Sequence, residues 1–233
     1  MSDTSNLISR KALLAAGAGL AAIALDAGPL GLRAAAATNA TVGNAHLSAL
    51  MSGNARFVAG TPRCIPATAR RTELANGQAP FAAILGCSDS RVPAETIFDH
   101  DPGDIFVVRV AGNFVTDTGL GSLEYSVAVL KSELIMVLGH SSCGAVKAAT
   151  QAAQGETFPG HIQGLATAIE PAAKATKGKA GDWVANATAE NVRMNAKALL
   201  AQSTILSEAH AAGKITIVGA VYDLHTGKVT ILS

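Results

Sequence analysis

The chain has 233 residues, of which 49% are hydrophobic and 15% are charged, a composition that excludes extended disorder. Lys and Arg number 18 against 17 Asp and Glu, so the formal net charge is +1 and the basic surface that binds nucleic-acid phosphates is not expected. Three cysteines are too few for a disulfide-stabilised scaffold, which leaves metal binding, catalysis or burial as their uses.

The amino-terminal segment has the layout of an export signal. A basic start leads into an apolar Ala/Leu/Gly stretch, and Ala35–Ala37 offers the small residues that a signal peptidase recognises. Residues 9–14 resemble a twin-arginine signal in which Lys11 replaces the second arginine. Because Gly and Pro residues interrupt the stretch, no stable membrane span is expected once residues 1–37 are cleaved. We expect a periplasmic or otherwise exported protein; the alternative is a cytoplasmic protein with an uncleaved leader.

The next part of the chain alternates between helical and strand patterns. Apolar residues at helical spacing predict an amphipathic helix over Asn44–Ala59, which Gly60 and Pro62 end. Four continuous apolar runs are typical of buried parallel strands: Phe81–Leu85, Ile105–Val110, Leu134–Leu138 and Ile215–Val221. Between them lie three helical patterns: Leu120–Leu130, Ala145–Gln154 and Asn186–His210.

The end of the chain has a hairpin signal. Thr226-Gly227 is a turn dipeptide within Val218–Ile231, which predicts an antiparallel strand at the sheet edge. Residues 44–233 are therefore expected to form one α/β domain, a mostly parallel β-sheet flanked by helices with an antiparallel edge strand at the carboxyl terminus.

Metal-ligand residues follow two of the predicted strands. Cys87 comes directly after the first strand run, and His140 and Cys143 follow the third. Ligands of parallel α/β proteins bind outside the carboxyl ends of the strands, where these residues meet. Thiolate and imidazole are the ligands that zinc prefers, and three protein ligands leave a fourth position open for water. The pattern predicts a catalytic zinc site.

Other uses of these residues fit the sequence less well. A disulfide between Cys87 and Cys143 is an alternative, but it explains neither the histidine nor the Asp-x-Arg that follows Cys87. Ser88 and Ser142 are not in a G-x-S-x-G elbow, so serine catalysis is not expected. The third cysteine, Cys64, lies in a proline-containing loop and is not expected to be a ligand.

A carboxylate side chain and a guanidinium side chain stand two residues apart on the loop that carries Cys87. Asp89 and Arg91 can form an ion pair that fixes the carboxylate and keeps it ionised. The carboxylate can then accept the hydrogen bond of a zinc-bound hydroxide, or it can take the open zinc position itself. The sequence leaves both arrangements open.

The two motifs resemble those of the β-class carbonic anhydrase family. Residues 87–95 read Cys-Ser-Asp-Ser-Arg-Val-Pro-Ala-Glu, and residues 140–146 read His-Ser-Ser-Cys-Gly-Ala-Val. The resemblance extends from Asn44 to the carboxyl terminus. Further similar segments are Leu50–Gly60, Asp104–Asn113, Gly121–Tyr125 and Gly219–Gly227.

The resemblance implies a role for each matching residue. One zinc ion per subunit is held by Cys87, His140 and Cys143, beside the Asp89–Arg91 dyad. The residues implied to contact substrate or product are Gln78, Phe106, Tyr125 and Gly144. Phe106 and Tyr125 are expected to reach the pocket across a dimer interface, since the family assembles as dimers or as larger oligomers of dimers.

The reaction implied is the reversible hydration of CO2 to bicarbonate and a proton by zinc-bound hydroxide. Some relatives process carbonyl sulfide or carbon disulfide on the same zinc site, which is the first alternative. A zinc-binding protein without turnover is the second. No single proton shuttle is identifiable, and the candidates are His46, His100, His161, His210 and His225.

Overall fold

The structure, a computed structural model, describes residues 45–63 and 67–233. The predicted export segment, residues 1–37, and Cys64 lie outside the described residues. Five strands form one sheet in the order β2-β1-β3-β4-β5. Their bounds are β1 Ala82–Gly86, β2 Ile105–Arg109, β3 Leu134–His140, β4 Thr216–Tyr222 and β5 Val229–Ile231. All neighbouring strands are parallel except β4 and β5, which confirms the predicted fold class.

Strands β1 and β3 are buried along their whole length, because helices cover the two faces of the sheet. The alternation along β1 assigns its side chains to opposite faces. Ile84 packs in the same cluster as Leu50 and Phe98, whereas Leu85 packs with Leu123 on the other side. Continuous apolar runs therefore predicted the strands correctly.

Helices make up the rest of the described chain. Residues 45–59 form α1, as predicted, and Gly60 ends it with a φ of 68°. The remaining helices are α2 Ala67–Leu74, α3 Ala94–Ile97, α4 Asp117–Ala128, α5 Gly144–Ala152, α6 Ile162–Thr176, α7 Trp183–Gln202 and α8 Thr204–Ala211. Among the described residues, no helix has the length and hydropathy of a membrane span.

Several helices differ from the sequence pattern, and the short helices α2 and α3 were not predicted. The single helix predicted over Asn186–His210 is wrong, because α7 ends at Gln202 and a second helix, α8, begins at Thr204. The Ser203 side chain accepts a hydrogen bond from the Leu206 N–H and caps α8. Helix α6 was not predicted at all, and it contains Pro171, a residue that ordinarily indicates a helix end.

A buried asparagine ties the first described helix to the end of the chain. Asn54 in α1 donates to the carbonyls of Ile97 and Gly227 at 3.2 and 2.8 Å and accepts from the Val229 N–H at 2.9 Å. All hydrogen-bonding positions of this amide but one are used, so it stabilises the packing of α1 on the β4–β5 hairpin.

Candidate metal centre

The sheet register brings the two predicted motifs together. Gly86 at the end of β1 pairs with Leu138 in β3, so Cys87 and His140 lie side by side at the carboxyl edge. Ser142 has a φ of 55°, in the left-handed region that non-glycine residues seldom adopt, and the resulting tight turn returns Cys143 to His140. The ligand atoms of the two cysteines and the histidine all lie within 4.8 Å of one another, and all three residues are buried.

The donor set fits a zinc ion. Both cysteines are free, and their Sγ atoms are 4.0 Å apart, about twice the length of a disulfide bond. His140 Nδ1 lies 3.0 Å from the Ser141 carbonyl, to which it donates, while Nε2 is buried without a hydrogen-bond partner in the described part of the chain. A basic ring nitrogen left unpaired between two thiols is the arrangement that a zinc ion completes.

The two thiols differ in acidity because they share a proton. The hydrogen bond with Cys143, together with the N–H groups of Gly112 and Asp89, lowers the pKa of Cys87 below its usual range. The pKa of Cys143 is raised, because its thiol donates to Cys87 and is buried. Both thiols bind zinc as thiolates, so metal binding releases the protons that they hold.

Asp89 and Arg91 form the predicted pair. Arg91 donates from Nε to Oδ1 at 2.9 Å and from Nη2 to Oδ2 at 2.8 Å, and its backbone N–H bonds Oδ1 at 3.0 Å. The Arg91 hydrogen bond holds the pKa of Asp89 well below its usual range. Asp89 Oδ2 also lies 3.9 Å from His140 Nε2, so an ionised carboxylate borders the ligand set.

Two neighbours of Cys87 were not found from the sequence. Arg109 at the end of β2 donates to the carbonyls of Cys87 and Asp89 at 2.9 and 2.6 Å and clamps the loop between them. The Gly112 N–H donates to Cys87 Sγ at 3.2 Å. Arg109 is a charged residue at the carboxyl end of a strand, which is a sign of a site residue. It was counted as part of the apolar run Ile105–Val110 instead.

The other predicted site residues fall in two places. Gly144 is the first residue of α5 and directly follows Cys143. Gln78 precedes β1, whereas Cys87 follows it, so they lie at opposite ends of the strand. Phe106 pairs with Ala83, about 13 Å along the sheet from the position of Cys87. Its ring packs near Tyr125, with centroids 6.5 Å apart.

Fold and donor set together define a zinc enzyme of the parallel α/β class. The sequence profile of the carbonic anhydrase family matches residues 82–229. Carbonic anhydrase from Mycolicibacterium smegmatis is 42% identical over 187 residues, which cover 79% of this chain and 91% of that protein. Carbonic anhydrase 2 from Mycobacterium tuberculosis is also 42% identical, over 78% of this chain and 89% of its own length.

Solved structures agree with these relatives. A chain from the crystal structures of two tetrameric β-carbonic anhydrases of Sordaria macrospora matches with a TM-score of 0.61 and 29% identity, over 70% of this chain and 85% of the matched chain. The Coccomyxa β-carbonic anhydrase in complex with acetazolamide matches with a TM-score of 0.62 and 31% identity, over 71% and 77%. This chain belongs to the β-carbonic anhydrase family.

Proposed function

We propose that this protein catalyses the reversible hydration of CO2 to bicarbonate and a proton at the centre formed by Cys87, His140 and Cys143. The observation that carries the proposal is the position of Asp89, whose two oxygens are bonded to Arg91 beside the ligand set. Structural zinc sites have four protein ligands, whereas three ligands and an engaged carboxylate leave a position for water. A zinc ion supplies Lewis acidity there, which lets a water molecule ionise near neutral pH.

Asp89 orients the attacking water. Its carboxylate accepts a hydrogen bond from that water and so directs the oxygen lone pair at the carbon of CO2. Arg91 fixes the carboxylate by two parallel hydrogen bonds and keeps it ionised. Arg91 donates twice to Oδ1 and once to Oδ2, so Oδ2 keeps an acceptor position for the water. The ion pair therefore favours an Asp89 that borders the metal over one that ligates it.

The first residue of α5 contributes a site for the product. Gly144 follows the ligand Cys143 at the positive end of the helix dipole, where backbone N–H groups favour an anion. Gly144 is exposed, and a Cβ there would meet nothing within 4 Å, so the space beside this residue is open in the described structure. Bicarbonate, the anionic product, is assigned to this position.

Stopped-flow CO2 hydration measured with zinc content tests the activity. The protein is assayed as purified, after zinc removal by a chelator, and after zinc is restored. We expect the rate to follow the zinc content. Cys143→Ser is expected to lose zinc and hydration, while Cys64→Ser, the matched control, keeps both. A zinc-free protein that hydrates CO2 at the full rate would overturn the proposal.

Carbonyl sulfide separates the remaining alternatives. The same preparation is assayed for sulfide release from carbonyl sulfide. Hydration of CO2 faster than release of sulfide supports the carbonic anhydrase activity. A zinc-loaded protein that releases sulfide without hydrating CO2 is a heterocumulene hydrolase instead, and one inactive on both substrates is a zinc-binding protein.

We further propose a homodimer, or a larger oligomer of dimers, in which a second copy supplies Gln78, Phe106 and Tyr125 to the pocket. Supporting this, all three lie away from the zinc ligands of their own chain. Tyr125 on α4 and Val129, the residue that follows α4, are 47% and 56% exposed. The Sordaria enzymes are tetramers.

Light scattering measures the mass of the assembly. Val129→Glu is expected to reduce the mass and the hydration rate together. Ile162→Glu changes an equally exposed apolar residue on α6 and is expected to change neither. A monomeric wild-type protein with full activity would contradict the dimer.

Export is also proposed, with residues 1–37 removed. The support is the basic, apolar and Ala-rich order of this segment. Cell fractionation and amino-terminal sequencing test it. Replacing Arg10 and Lys11 by Gln should retain the protein in the cytoplasm with its leader uncleaved. A wild-type chain found in the cytoplasm with Met1 in place would contradict export.

A further inference from the structure

Helix α7 carries two buried asparagines that no site prediction includes. Asn191 and Asn195 are only 1% and 9% exposed, although both side chains are fully polar. Buried amides are retained where they bond other buried polar groups. Both amides face the loop that joins β2 to α4, which also carries Gly112.

The hydrogen bonds run in one direction from the loop through α7 and back to the metal ligand. The Val115 N–H donates to Asn195 Oδ1 at 2.7 Å, and Asn195 Nδ2 donates to Asn191 Oδ1 at 2.9 Å. Asn191 Nδ2 donates to the Gly112 carbonyl at 2.8 Å, and the Gly112 N–H donates to Cys87 Sγ at 3.2 Å. Because Asn191 Oδ1 is an acceptor for Asn195, the amide orientation is fixed with Nδ2 toward Gly112.

Gly112 has no side chain of its own with which to hold this position. Its φ is 86°, and a Cβ there would lie 2.3 Å from Ile169 Cδ1 and 3.1 Å from Ala145 Cβ. Only glycine allows the peptide to enter the space between α5, α6 and Cys87. The Asn191 side chain is the polar group that holds the carbonyl of this residue.

We propose that Asn191 is a positioning residue of the metal centre: it holds Gly112 so that the Gly112 N–H donates to the Cys87 thiolate. Asn195 acts one step further out by orienting the Asn191 amide. The inference rests on the proposed zinc site and assigns the α7 amides to it. A hydrogen bond to the sulfur withdraws charge from the thiolate, so the bond reduces the electron density that Cys87 gives to the metal.

Cobalt substitution gives a readout besides activity. Bound Co2+ shows thiolate-to-metal charge-transfer absorption, whose energy falls when a thiolate loses a hydrogen bond and becomes the better electron donor. In Asn191→Asp the acceptor for Asn195 is kept, but the donor to the Gly112 carbonyl is removed. We expect this variant to shift the charge-transfer band to longer wavelength, because the thiolate donates more strongly. It should nevertheless bind zinc about 10-fold more weakly, because Gly112 and the ligand Cys87 that it contacts are no longer held in place.

Asn54→Asp is the matched control. Asn54 is also a buried amide that donates to backbone carbonyls, those of Ile97 and Gly227, but none of its bonds goes to a zinc ligand. This variant should lose thermal stability while its cobalt spectrum stays that of the wild type. Equal band shifts in Asn54→Asp and Asn191→Asp would overturn the proposal, since the effect would then follow stability alone.

Asn195→Asp provides a graded test. It keeps the acceptor for the Val115 N–H and loses the donor to Asn191, so a smaller shift in the same direction is expected. If Asn191→Asp does not fold, the cobalt spectrum and zinc affinity of Asn195→Asp test the proposal. A folded variant with an unshifted spectrum and unchanged zinc affinity overturns the proposal. Failure of the wild-type protein to hydrate CO2 would refute the proposed function instead, because the cobalt spectrum reports the ligand environment without turnover.

Discussion

The two ends of the sheet each hold a histidine whose Nε2 atom is buried without a partner among the described residues. His140 lies at the carboxyl edge, where the parallel strands end, and His100 lies at the amino edge, where they begin. Around His140, two thiols approach the free nitrogen. Around His100, the ring contacts Phe81, with centroids 5.0 Å apart, and Nδ1 faces Asp104 at 3.4 Å. An unpaired histidine nitrogen therefore indicates a metal only where other soft ligands converge on it.

The charges of the two edges are also organised differently. At the amino edge, arginines of α1, α2 and the segment between them neutralise carboxylates that precede β2, as in the pairs Arg56–Asp99 and Arg70–Asp104. At the carboxyl edge, the pair Asp89–Arg91 borders the ligand set instead. Ion pairs at the amino edge thus join elements of the fold, whereas the pair at the carboxyl edge borders the ligand set, where we propose that it serves catalysis.

The largest expected effect separates the two histidines. His140→Ala removes a ligand, so bound zinc and CO2 hydration should fall by more than about 100-fold, beyond the effect of losing a residue behind the ligands. His100→Ala should lower the melting temperature and leave one zinc per chain with normal hydration. Zinc analysis and stopped-flow assays of both proteins check this. Retention of zinc by His140→Ala would mean that His140 is not a required ligand and that the two histidines do not differ in this way.

The next largest effect is expected from replacing a carboxylate at each edge, Asp89 at the carboxyl edge and Asp104 at the amino edge. Asp89→Asn should retain zinc but lower the hydration rate about 100-fold, because the amide no longer accepts from the attacking water as the carboxylate does. Asp104→Asn is the matched change at the amino edge and should leave the rate unaltered. The rates of the two variants are compared at equal zinc content. A fully active Asp89→Asn would remove Asp89 from the mechanism.

Acid pH should destabilise the wild type more than Asp104→Asn. Burial raises the pKa of Asp104, but the Arg70 and Asp101 hydrogen bonds outweigh burial and the net pKa is lowered. Because the folded pKa lies below the unfolded value of about 3.9, the carboxylate stabilises the fold above that pH and this stabilisation is lost as pH falls toward the folded pKa.

Urea unfolding between neutral and acid pH measures this difference. At pH 7 the wild type should exceed Asp104→Asn by about 1 kcal/mol in the free energy of unfolding, the size of one hydrogen bond. The difference should shrink as the pH is lowered. A constant difference across the range would mean that ionisation of Asp104 does not contribute.

The smallest effect is expected from an exposed pair at the amino edge. His46 Nε2 lies 3.1 Å from Glu133 Oε2, and the Glu133 side chain is 47% exposed. Solvent-exposed pairs contribute little, so Glu133→Gln should change the free energy of unfolding by less than about 1 kcal/mol. Its zinc content and hydration rate should be normal. A loss of zinc in this variant would mean that the two edges are coupled.

The sequence predicted most of the sheet and the ligand set for the same physical reason. Strands buried on both faces must be apolar throughout, so β1 and β3 stand out as continuous runs, and their ends locate Cys87 and His140. The break at Ser203 was missed because a capping hydrogen bond leaves the apolar pattern intact.

Contacts between distant segments had no signal in the sequence. Asn191 and Gly112 are 79 positions apart, and nothing local to either residue specifies their hydrogen bond. The Gly112 N–H is likewise invisible in the sequence, because every non-proline residue carries one. The pocket role predicted for Tyr125 cannot be checked within one chain, because the pocket that it is proposed to reach belongs to another copy.

The Asn54 tie has a consequence for the order of folding. It bonds residues that are 173 and 175 positions away, and α1 shares its apolar cluster with Tyr222 and Val229 of the carboxyl-terminal hairpin. Contacts of such sequence separation form late, because the intervening loop must first be closed. A ribosome releases α1 long before the hairpin that receives it. The helix that is synthesised first in the described domain is therefore among the last to dock.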